Sequence, residues 1–149
     1  MKKILQENNT FVLRCDNGED VIRALHDFCL EEGVTAAHFS GIGSAKAVTV
    51  SYYNIPQKQY EDHEIEEYLE VVNLTGTVAT GDNNMVIIHA HGAFAGRDLQ
   101  AGAGHVKRLI VSATVEIVLQ AFEGELKRNH DQTTGLDLLH STGHDTASV

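Results

Sequence analysis

The chain has 149 residues, 42% of them hydrophobic, with 13 Gly and a single Pro, which fits one globular domain and excludes disordered or fibrous classes. Its 21 Asp and Glu against 11 Lys and Arg leave a net charge of −10, which opposes nucleic-acid binding because a phosphate backbone is held by clustered cations. The basic pairs Lys2-Lys3, Lys107-Arg108 and Lys127-Arg128 stand apart from one another and read as solvated surface.

The start, Met1-Lys2-Lys3-Ile4-Leu5, turns polar at Gln6, and no stretch approaches the roughly 18 uninterrupted apolar residues of a membrane span. Cys15 and Cys29 lack CxxC spacing, so reduced, buried thiols and a cytoplasmic location are expected. Residues 10–15 form a short strand that enters the polar turn Asp16-Asn17-Gly18-Glu19. Over residues 19–32, Val21, Ile22, Leu25, Phe28 and Cys29 recur at three and four, predicting a helix with acids in its first turn and Gly33 as its stop. Two strands follow, over residues 34–40 and 47–53, separated by Gly41-Ile42-Gly43. After a break at Ile55-Pro56, residues 60–67 read as an exposed strand. Residues 68–80 and 85–94, joined by the turn Gly81-Asp82-Asn83-Asn84, should pair antiparallel. Residues 115–122 are apolar on both faces apart from Glu116 and Gln120, as for a strand buried in a sheet or against a subunit. The polar tail from Lys127 holds one apolar knot, Leu136, Leu138 and Leu139, and its last residues are expected to fray. The whole chain, 1–149, thus reads as one domain with its core at about residues 10–139.

Several short motifs occur in a telling order: Phe11-Val12-Leu13-Arg14, Gly18-Glu19-Asp20, Phe39-Ser40-Gly41-Ile42-Gly43, Tyr52-Tyr53, Leu69-Glu70-Val71 with Leu74-Thr75-Gly76, His89-Ala90-His91 and Gly104-His105. In that order and spacing the chain resembles the plant and prokaryote conserved (PPC) domain, also called domain of unknown function 296, over about residues 10–139. The resemblance implies an α+β fold, a mainly antiparallel sheet flanked by helices, assembled as a homotrimer. Plant members carry AT-hooks that bind A·T-rich minor grooves; the Arg-Gly-Arg-Pro core of a hook is absent here.

His89 and His91 lie two apart on a predicted strand, so they share a face, and apolar Ile87, Ile88, Ala90 and Ala93 flank them. Half-buried imidazoles need partners. A divalent metal, zinc above all, would satisfy both, with His105 completing a His₃ set whose fourth position stays open to water or a small anion, and with Gly102 and Gly104 permitting close approach. The resemblance points the same way, since prokaryotic members resemble metal carriers at histidines of this spacing. The alternative is that each ring bonds a backbone carbonyl or a carboxylate and packs as core. Asp98 reads first as a loop cap and second as a further ligand, Arg97 as an exposed loop cation, Glu116 as solvated or reaching a buried cation, and His26 as lying outside any site. Ser40 lacks the glycines of a nucleophile elbow.

Three functions follow: a homotrimeric metal-binding module with a regulatory or partner-binding role, a metal-dependent enzyme acting on a small molecule, and a DNA-binding protein. The first is favoured by the family resemblance and by the missing catalytic set, the second lacks an assigned general base, and the charge and the absent hook oppose the third.

Overall fold

Side chains alternate between buried and half-buried along residues 10–16 and between buried and exposed along 115–120, the mark of strands with one face on a core. The computed structural model describes residues 1–141, and the frayed end expected of the tail falls outside them. In chain order the elements are β1 (Lys2–Glu7), β2 (Thr10–Asp16), α1 (Val21–Glu32), β3 (Ala37–Asn54), β4 (Gln59–Ile65), β5 (Leu69–Thr80), β6 (Val86–Ala95), β7 (Ala101–Ala121), β8 (Lys127–Asp131) and β9 (Leu136–His140). All strand pairings are antiparallel except the single contact Thr80↔Lys127 between β5 and β8. Pairing runs from β7 to β3, β5, β6 and back to β7, a closed circuit of four long strands.

Among the described residues α1 is the only helix, where flanking helices were expected. The connections explain the difference: β5 meets β6, and β6 meets β7, through turns of about five residues, too short to hold a helix. The α1 stripe Val21, Leu25, Phe28 and Cys29 packs on the sheet, with Phe28 edge-on to Phe11 at 5.4 Å between ring centroids. The acids expected in its first turn precede it instead: the Asp20 carboxylate accepts from the Ile22 amide at 3.2 Å as N-cap. Gly33 ends the helix at φ +69°, a conformation other residues adopt at a cost. The core that α1 shares with the sheet includes Leu13, Phe39, Val115, Ile117 and Leu119, all essentially removed from solvent.

β3 is one strand where two were expected. Gly41 and Gly43 mark a register shift against β5 rather than a turn, and the strand then changes partner from β5 to β4. β1 had no counterpart in the sequence reading; every one of its residues is exposed at the sheet edge, so it carries no burial pattern. The strand read at residues 115–122 is the end of β7, and the chain covers only one of its faces: Val118 stays 48% exposed. The polar tail forms a hairpin, β8–β9, with Leu136 half-buried and Leu138 and Leu139 exposed. No helix of the described residues is long and apolar enough to cross a membrane.

Cys15 and Cys29 are free and buried, and burial is the largest influence pushing both thiols up to about 12. The folded protein at pH 8 should therefore leave both unmodified by a thiol-specific reagent such as a maleimide, and denaturant should expose two reactive thiols, counted by mass spectrometry.

Candidate metal centre

Strand register builds the site. Thr77↔His89 and Thr75↔His91 pair across β5 and β6, which puts both histidines on one face, opposite to the core-facing Ala90. His105 of β7 pairs directly with His91 across β6 and β7, so it joins that face. The Gly-rich segment read as a return is thus the first part of β7 itself. Gly104 makes this approach possible, since a Cβ there would lie 2.7 Å from the Val50 side chain and 2.9 Å from the Ser51 carbonyl oxygen. Gly102 has no such role, because its missing side chain would meet nothing within 4 Å.

One potential ligand atom from each of the three histidines lies within 4.8 Å of the others. Ring centroids stand 5.2 Å apart for His89–His91 and His89–His105 and 5.6 Å for His91–His105. Tetrahedral nitrogens on zinc sit about 3.3 Å apart, so side-chain rotation has to draw the rings inward. Burial is the first cause holding His89 and His105 down to about 4, with the neighbouring cationic groups adding to it. Both rings are therefore neutral at physiological pH, the state a metal requires. The Nδ1 of His105 is buried without a hydrogen-bond partner among the described residues, which costs about 1–3 kcal/mol unless something fills the role. The donor set and this orphaned nitrogen fit a divalent ion of the zinc type.

The other residues weighed from the sequence separate cleanly. The Asp98 carboxylate accepts from the Gln100 amide at 3.0 Å, a loop cap outside the cluster, and Arg97 beside it is exposed. Glu116 is exposed on β7, and His26 pairs with Asp27 on α1.

Arg128 overturns its reading as surface. On β8 it is only 7% exposed; its Nη1 donates to the Asp137 carbonyl at 2.9 Å, and its Nη2 donates to Thr77 Oγ1 and to His89 Nδ1, each at 3.1 Å. A guanidinium only donates, so Nδ1 of His89 holds a lone pair and the proton of the neutral ring sits on Nε2. Ligation through Nδ1 displaces Arg128, and ligation through Nε2 requires that proton to leave; either way the contact is given up. Tyr60 is the second residue missed, stacked on His105 at 4.8 Å between centroids with the Lys107 ammonium over its ring. Neither carries a local signal, since each reaches the trio from another hairpin. Lys107 also binds the Asp62 carboxylate at 2.7 Å and 2.9 Å, which holds that group below the usual carboxylate range. A cavity of 880 Å³ opens beside the trio, between Val50, Tyr53, Tyr60 and Ile65.

The family model of the Plants and Prokaryotes Conserved (PCC) domain matches residues 3–123. Similar solved structures include a metal-containing protein from Archaeoglobus fulgidus, 32% identical, with 95% of this chain and 100% of that one covered at TM-score 0.82. A PPC protein from Pyrococcus horikoshii is 26% identical, covering 96% and 99% at TM-score 0.84. A candidate DNA-binding protein from Bacteroides thetaiotaomicron is 27% identical, covering 91% and 94% at TM-score 0.88. No curated protein matches the chain.

In unfolded chain an imidazole protonates near 6.5, so between there and about 4 the unfolded state binds more protons than the folded one. Stability present above 6.5 is lost as the pH falls through that window and levels off below about 4. Imidazole NMR signals of chelator-treated protein should show His89 and His105 neutral at pH 6 and titrating near 4, with the urea midpoint falling over the same range.

Proposed function

Because the chain belongs to the Plants and Prokaryotes Conserved domain family, we propose that it is a homotrimeric metal-binding module of regulatory or partner-binding role. His89, His91 and His105 hold one divalent ion, zinc by the preference of neutral imidazoles, and leave a fourth position to water or a small anion. The observation that carries this reading is the convergence of three imidazoles, one of whose buried nitrogens has no partner among the described residues. The metal content of the Archaeoglobus fulgidus relative supports it. The ion would act as a Lewis acid or as an anchor for a ligand, while Tyr60, stacked on His105, holds that ring in place and Arg128 occupies the His89 lone pair until an ion takes it. A trimer is supported by the apolar side chains that one chain leaves open, Ile42 at 62% and Val118 at 48% exposure. A cytoplasmic location belongs to the same proposal.

The cavity beside the trio favours a second reading, metal-dependent chemistry on a small molecule, which a screen of activity with zinc present separates from the first. DNA binding is disfavoured by the net charge of −10 and the missing hook, despite the candidate DNA-binding relative.

Elemental analysis of protein purified without chelator should find about one zinc per chain. His91→Ala, a change at an exposed position, should abolish it, and His26→Ala should leave it intact. A high-resolution map with zinc present in which the three rings point apart would overturn the assignment. Light scattering should give about three times the 16.3 kDa chain mass, and Val118→Asp should lower it; a monomer mass for the wild type ends the trimer reading.

A further inference from the structure

Among the described residues no carboxylate contacts the guanidinium of buried Arg128, and the Asp137 charge acts on it only from a distance. Arg128 is 7% exposed, its contacts are a carbonyl, a hydroxyl and an imidazole, and its Nε has no partner among the described residues. The carboxylate on the same hairpin, that of Asp137, turns away to His130 Nδ1 at 3.2 Å. Buried guanidinium groups are ordinarily paired, because a charge taken out of water without a counter-charge loses its hydration and gains nothing in return. Around it lies a second cavity, of 410 Å³, bordered by Tyr60, Ile88, His89, His105 and Leu136.

We propose that this cavity binds a small aliphatic carboxylate whose charge is met by Arg128. Nε and Nη2 lie along one edge of the planar guanidinium, and two parallel N–H donors match the two oxygens of a carboxylate. With one guanidinium, apolar Ile88 and Leu136 beside it and the Asp137 carboxylate, bonded to His130, also on the rim, the cavity suits a monoanion with an apolar body better than a multiply charged phosphate. The link to the metal is direct. When His89 turns its lone pair to an ion, Nη2 loses an acceptor beside the already unpartnered Nε, and the edge is open to the ligand. The proposal rests on the reading of the three histidines as a metal site, and its test separates the two.

The Arg128 Nε–H signal and the backbone amides of isotope-labelled protein are followed during titration with butyrate, with butyramide and inorganic phosphate as comparisons, on zinc-loaded and chelator-treated samples. Butyrate should move the Nε–H signal in the zinc-loaded wild type, with a dissociation constant at least tenfold lower than in Arg128→Gln, and butyramide should not. Arg128→Lys, which keeps the charge but loses the fork, should also weaken butyrate binding and serves if the Gln variant does not fold. Equal butyrate affinity in the wild type and the folded variants, equal response to butyramide, tighter binding of phosphate, or no response in the wild type each overturns the proposal. If elemental analysis finds no zinc in the wild type, the metal reading fails by itself, and the carboxylate site is then judged by the same variant comparison on chelator-treated protein.

Discussion

The pairing of His91 with His105 across β6 and β7 is the constraint on which the site depends. Side chains on a strand alternate faces, so two histidines from distant segments meet only if the register is right to the residue. That register is held at the histidines and along the strands beyond them. β7 pairs with β3 along nearly its whole length, β3 with β5, and β5 with β6, so the circuit fixes β6 against β7 from both sides. Gly104 then lets β7 sit close to Val50 and Ser51 without a side chain in the way.

Electrostatics at the centre run against those of the whole molecule. The chain carries ten more negative than positive charges, yet the groups at the trio are neutral or cationic: His89 and His105 kept unprotonated by burial, with Arg128 and Lys107 nearby. Two nearby acids are engaged, Asp62 with Lys107 and Ser51 and Asp137 with His130, while Glu64 borders the larger cavity. An interior of this kind accepts an ion through lone pairs rather than through charge, and it favours an anionic ligand once the ion is in place.

How much of this is legible in the sequence depends on the range of the signal. The convergence of His89 and His91 is readable because a period of two suffices, and α1 because its stripe and its stop are local. The α+β class and the family resemblance are carried by motifs spread over most of the chain, which agrees with the match over residues 3–123. The continuity of β3 is not readable, since a Gly-x-Gly run signals a turn as readily as a shift in register. β1 is hidden because edge strands with no buried face show no alternation. Arg128 is hidden for a different reason: its contacts to Thr77 and His89 span 51 and 39 residues, and the hairpin that delivers it looks like a polar tail.

The turn between β6 and β7 has a bearing on how such a chain can change in length. Its own bonds close it, Gly96 with Gln100 and Leu99 with Gly96, and the pair Ala95↔Ala101 anchors the strands on the inner side. Residues can be added or removed at its tip without moving the histidines. A single insertion between His91 and Ala95, or between Ala101 and His105, turns the residue beyond it to the opposite face. Lineages can therefore vary the tip freely, while the short stretches on either side of it keep a fixed count for as long as the trio is under selection.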